Sequence, residues 1–169
     1  MTSLLSLALI VSSLGSPERT HWIAVERFEQ GRYAEAAKLC RDALPRIERT
    51  YGADSLETGL ILRDLARAYR GEGYLVKAEA IQLRLLTLVR NRLGEEDANI
   101  ALVLDGLGEI QFEQGRITEA RRAFAQALRI GEKTLDAGSP HLATIVNDLA
   151  AADQSDRRYG KALAVRAKR

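Results

Sequence analysis

The chain is poor in the residues that most chemistry requires. Its 169 residues include one cysteine, Cys40, and two histidines, His21 and His141. One thiol excludes an internal disulfide framework, and two isolated imidazoles with no cysteine nearby do not converge as metal ligands do. Cys40 falls on the apolar side of a helical pattern and reads as a core residue. No Gly-x-Ser-x-Gly elbow and no glycine-rich lysine loop for phosphate are present. Gly106-Leu107-Gly108 lies inside a helical pattern with no preceding strand, which removes it as a dinucleotide fingerprint. The carboxylates sit in polar contexts that would not raise a pKa for acid catalysis. Charge is nearly balanced, 25 basic against 23 acidic residues, with no long basic stripe interleaved with aromatics, so nothing points to nucleic acid. Apolar runs fall short of the roughly 20 residues needed to span a bilayer. These features set aside cofactors, metals, nucleic acid and a membrane span, and the expectation is that the chain is not an enzyme.

What the chain has instead is repetition. Gly31-Arg32-Tyr33-Ala34-Glu35-Ala36, Gly73-Tyr74-Leu75-Val76-Lys77-Ala78, Gly115-Arg116-Ile117-Thr118-Glu119-Ala120 and Arg157-Arg158-Tyr159-Gly160-Lys161-Ala162 superimpose without a gap at a spacing of 42 residues. The phase extends to Ile23, Leu65, Leu107 and Leu149, each followed by a small residue, Ala24, Ala66, Gly108 or Ala150. Ala36, Ala78, Ala120 and Ala162 form a column without exception. A fixed period of this size signals stacked units that bury their apolar faces on one another.

Each unit reads as two helices, because apolar residues recur at three and four, as in Leu75, Ala78, Ile81, Leu85, Leu86 and Val89. Glycine between the helices permits the left-handed turn that folds one back on the other. The small columns predict close helix crossings. Asp54-Ser55-Leu56-Glu57 reads as a capping box with Asp54 as the cap, and Ser139-Pro140 as a cap followed by proline in the first turn. The units run at about 16–54, 55–96, 97–138 and 139–169. The last is polar where the others are apolar, in Asp153-Gln154-Ser155-Asp156, as a solubilising end repeat is.

This pattern resembles the tetratricopeptide repeat (TPR) family, in particular its 42-residue kinesin-light-chain-like branch. The family's leucine and small-residue pair falls on Leu65-Ala66, Leu107-Gly108 and Leu149-Ala150, its aromatic on Tyr69, and its later alanine, aromatic and alanine on Ala120, Phe124 and Ala127. Glu48, Arg90 and Glu132 stand where the family's closing proline falls, so the second helix can run on for two more turns. The resemblance covers residues 16–169 and implies an all-α fold, a right-handed superhelix of about four helical hairpins. It also implies a scaffold that binds a peptide or partner protein along a concave groove. The branch carries an asparagine pair on its groove helix, whereas the matching positions here are Arg63-Asp64, Asp105-Gly106 and Asn147-Asp148, and only Asn147 agrees.

By the same resemblance the groove candidates are His21, Val25 and Phe28; Arg63, Arg67 and Arg70; Asp105, Glu109 and Phe112; and Asn147, with Ala151 and Gln154. Three arginines in one stripe suit an acidic segment or a chain terminus. The alternative is that they pair with Asp105 and Glu109 of the next unit in a solvated network. Trp22, Phe28 and Phe112 are open to the same choice between packing and anchoring a ligand. A class-distinct alternative for the whole chain is a structural module that self-associates through its open end faces.

Residues 1–15 carry no charge and lie outside the repeat phase. Leu4–Val11 is long enough for a signal-peptide core, Ser13 and Gly15 suit cleavage after Gly15, and no basic residue precedes Arg19. The segment is either such a peptide, making the protein periplasmic or extracellular, or an apolar helix on the first repeat, leaving it cytoplasmic. No cysteine follows the run, so lipid attachment there is not indicated.

Overall fold

The computed structural model describes the backbone of residues 16–166 and the side chains of 19–157. Among the described residues there are seven helices and no strand: α1 (Ser16–Glu29), α2 (Tyr33–Tyr51), α3 (Leu56–Gly71), α4 (Leu75–Leu93), α5 (Ala98–Glu113), α6 (Ile117–Thr134) and α7 (Pro140–Arg166). The segment read as a signal peptide or apolar helix lies outside the described residues.

The turns within the hairpins are built alike. Gly31, Gly73 and Gly115 have φ of 72°, 77° and 77°. In each turn the next residue's N–H reaches back five residues, Arg32 to Arg27 O at 2.8 Å, Tyr74 to Tyr69 O at 2.8 Å and Arg116 to Gln111 O at 2.9 Å. This is the Schellman closure, which satisfies carbonyls at a helix end and needs a residue that tolerates positive φ. Arg157 holds the fourth position of the series, and there α7 continues without a break to Arg166. The fold therefore has three hairpins and a final single helix among the described residues, where the repeat pattern predicted about four hairpins. An L side chain in place of glycine removes the reason for the chain to turn.

At the start of α3 the cap is Ser55, not Asp54: its hydroxyl accepts the Thr58 N–H at 3.1 Å and donates to the Thr58 hydroxyl at 3.1 Å. Thr58 in turn donates to Gly52 O at 2.8 Å, tying the loop to the helix. Asp54 is exposed.

The chain divides between Leu88 and Val89 into two compact units. In the first, α1 packs on α2 and α3, and α2 packs on α3. Ala24, Ala36, Cys40, Ile47, Ile61, Leu62 and Leu65 are buried there. α4 lies beside Gly59, where an added Cβ would make only an ordinary contact, 3.4 Å, with the Leu88 side chain. In the second unit α5, α6 and α7 pack on one another. Phe124 joins Ala120 and Ala152 in the core, with Phe112 and Leu149 against them. Phe124 lies over Gly108, where a Cβ would come within 2.6 Å of the ring. The small residue at 108 thus does what its column predicts: it lets α5 and α6 meet at contact distance.

Candidate functional site

In the first unit, α1 and α3 place His21, Val25, Phe28, Arg63 and Arg67 on one half-open face. The Arg67 guanidinium carbon lies 4.5 Å from the centre of the Phe28 ring. Phe28 is braced from the other hairpin helix by Tyr33, centroids 5.0 Å apart and tilted by 58°. Tyr33 reaches that position because Gly71 has no side chain, and a Cβ there would stand 2.6 Å from the ring. Glycine, tyrosine, phenylalanine and arginine therefore form a chain of contacts that ends in an exposed guanidinium. Arg67 carries no ion pair among the described residues, so its fork of N–H donors is available to a carboxylate or phosphate. Stacking on an aromatic face also fixes the arginine, reducing the entropy lost when a ligand binds.

Beside it, His21 Nδ1 meets Asp64 Oδ2 at 2.5 Å. The Asp64 side chain is only 4% exposed, and its other oxygen lies 3.6 Å from Arg63 Nε. Ala24, Val25, Phe28, Asp64 and Arg67 line a shallow depression over these contacts. Arg63 is thus spent partly on Asp64, and His21 is a structural partner more than an open ligand group. Arg70 is half-buried in the last turn of α3.

The second unit carries its own candidates. Asp105, Glu109 and Phe112 are half-buried along α5, and Phe112 packs against the Ala120, Phe124 and Ala152 core. Asn147, Ala151 and Gln154 are exposed on α7. Trp22 is 49% exposed on α1. Cys40 is fully buried, and its thiol is pushed up to about 12, first by burial and then by the negative charge of Asp64. Among the described residues no group of three or more His, Cys, Asp or Glu side chains could hold a metal ion. No helix there is long and apolar enough to cross a membrane.

Two parts of this arrangement escape a reading by columns. His21 and Asp64 are 43 residues apart, one repeat plus one position, so they belong to different columns and look unrelated. A basic group in one unit followed one period and one residue later by an acid is the signal that would have found the pair. The Tyr33–Gly71 contact has no comparable signal.

A solenoid built from helical hairpins with glycine turns and small-residue crossings defines a class, the α-helical repeat proteins. The tetratricopeptide repeat model matches residues 19–91, 72–133 and 99–165, and the chain belongs to that family. Its 42-residue units resemble those of the kinesin-light-chain-like branch, and its structural neighbours share the fold. One is BtubC (BKLC) from P. vanneervenii, with 20% identity and a TM-score of 0.77, over 90% of this chain and 62% of that one. Another is a Podosopora anserina protein described as a kinesin light chain with nearly identical TPR-like repeats, with 22% identity and a TM-score of 0.76, over 92% and 78% of the two chains. A third is the apo form of RapI, with 16% identity and a TM-score of 0.74, over 93% and 57%. The chain therefore spans less than two thirds of the BtubC and RapI chains. No curated protein matches it at significant similarity. The fold is the all-α TPR-like solenoid, which generally serves as a protein-interaction scaffold.

Proposed function

We infer that this protein is a non-enzymatic scaffold that binds an acidic peptide segment of a partner protein on the α1/α3 face of its first unit. The observation that carries the reading is the Arg67 guanidinium, stacked on Phe28 and lacking an ion pair among the described residues. A carboxylate of the partner would take two N–H donors of Arg67, and Arg63, already near Asp64, would add long-range attraction. Val25 and Phe28 supply apolar contact beside the charge, the combination of anchor and fork found at binding hot spots.

The reading extends to location: residues 1–15 act as an export signal, so the repeats work in the periplasm or outside the cell. Its support is the uncharged apolar run followed by Ser13 and Gly15. N-terminal sequencing of the mature protein tests this, since a product beginning at Met1 contradicts it.

Peptide display against the purified protein tests the binding reading. Enrichment of acidic sequences by the wild type, reduced with Arg67→Glu, is expected. Equal enrichment by the variant, or enrichment of basic sequences, overturns it. Light scattering of the protein alone should report a monomer; concentration-dependent assembly would favour self-association through the end faces instead.

A further inference from the structure

The first hairpin carries a second concave feature, distinct from the α1/α3 face. A groove of about 370 Å³ runs between α1 and α2, lined by Thr20, Lys38, Leu39, Asp42, Ala43 and Arg46. Its origin is legible in the repeat. Thr20, Ala43 and Arg46 stand one period before Leu62, Leu85 and Leu88, and all three leucines are buried in the second hairpin. The third hairpin has Leu104, Ala127 and Ile130 at these positions, also buried. Where the other hairpins carry large aliphatic side chains at the first and last of these three positions, the first hairpin has a hydroxyl residue and a guanidinium, and the space stays open.

The rim shows what would fill it. Lys38 and Arg46 are exposed and carry no ion pair among the described residues. Asp42, between them, lies 3.7 Å from Arg41 Nε and is compensated there. The groove thus offers a small apolar floor, Leu39 and Ala43, under two uncompensated cations. These stand eight residues apart on one helix, about 12 Å at 1.5 Å per residue. A helix with an apolar edge and carboxylates two turns apart matches the floor, the length and the charge.

We propose that the α1/α2 groove is a second docking surface, taking an acidic amphipathic helix of a partner protein. Its apolar edge seats on Leu39 and Ala43, and its carboxylates meet Lys38 and Arg46. The site is independent of the Arg67 face and does not rest on the reading of that face.

The probe is a fluorescein-labelled, acetylated helical peptide of about 16 residues with leucines along one edge and glutamates two turns apart, followed by fluorescence anisotropy. Its control replaces the glutamates by lysines. Ala43→Leu puts into the groove the residue that the second hairpin carries at the same position. It should weaken binding about tenfold or more while leaving thermal unfolding unchanged or raised. In the Arg67→Glu background, which removes the acidic-peptide contact on the α1/α3 face, Lys38→Glu and Arg46→Glu should each weaken binding about tenfold. The proposal is overturned if the lysine peptide binds as well as the glutamate peptide, or if neither Ala43→Leu nor Arg46→Glu weakens binding. It is also overturned if sedimentation shows the protein self-associating through the groove, so that Ala43→Leu turns a dimer into a monomer.

Discussion

His21 Nδ1 and Asp64 Oδ2 lie 2.5 Å apart and join α1 to α3 across one repeat boundary. Asp64 is buried, and beyond His21 its nearest charge is Arg63 Nε at 3.6 Å. Removing the imidazole leaves a buried carboxylate short of a partner, which costs more than the contact itself contributes. His21→Ala should therefore lower unfolding stability by about 2–4 kcal/mol. The double variant His21→Ala with Asp64→Leu should recover part of that loss. Chemical denaturation of both checks this, and a double variant no more stable than His21→Ala would argue that the carboxylate is not the cause.

Gly108 and Gly59 should respond to alanine in opposite directions. A Cβ at Gly108 would sit 2.6 Å from the Phe124 ring, so Gly108→Ala forces the core apart and should cost about 1–3 kcal/mol. At Gly59 the nearest atom to a new Cβ is a Leu88 methyl at 3.4 Å, an ordinary contact inside a helix. Gly59→Ala should stabilise by about 0.5–1 kcal/mol through helix propensity. Thermal unfolding of the pair tests whether the tight crossing lies at Gly108 and not at Gly59.

Ser55→Ala should cost about 1 kcal/mol by removing the cap of α3, while Asp54→Ala should change stability by only a few tenths. The reverse order in denaturant midpoints would restore Asp54 as the cap. Sequence pattern placed the helix start within a residue but chose the wrong side chain, because Asp and Ser are near equals as caps. What decides between them is the Thr58 hydroxyl, which ties Ser55 to the Gly52 carbonyl. The same contrast runs through the molecule. Turns at Gly31, Gly73 and Gly115 and burial of Ala36, Ala78 and Ala120 were legible, since each follows from one residue's own conformational needs or size. Arg157 carried the opposite message, a helix that does not turn, although the columns around it suggested a fourth hairpin. At the site, the resemblance to the family offered Phe28 and Arg67 as groove candidates. Their stacking, and the support from Tyr33 over Gly71, depends on side-chain directions between helices, which spacing along one helix does not encode.

Cys40 should be inert to a thiol reagent at pH 8 in the folded protein and react only through unfolding. Its thiol titrates near 9.0 when unfolded and about 12 when folded. Between those values the unfolded chain sheds a proton that the folded chain keeps, so folding stability falls as pH rises. The slope is at most about 1.4 kcal/mol per pH unit, and the contribution is nil below about pH 8. Comparing the alkaline slope of stability with that of Cys40→Ala isolates the thiol. Identical slopes would mean that burial does not hold the proton.

The Glu96 carboxyl is held below its ordinary range, first by the Lys133 hydrogen bond at 2.6 Å and that residue's charge, then by Arg129 at 3.3 Å. Lys133→Ala should move its titration up further than Arg129→Ala does, as read by carboxyl carbon NMR. Its effect on global stability should be small, because the group is fully exposed.

The central claim is that a guanidinium held over an aromatic ring waits for a partner's carboxylate. Isothermal titration of a display-selected acidic peptide into wild type and Arg67→Glu, at low and at high salt, tests it most directly. The account predicts that binding weakens with salt and that the variant loses about 1–3 kcal/mol of affinity. Affinity unchanged in Arg67→Glu and indifferent to salt would contradict it.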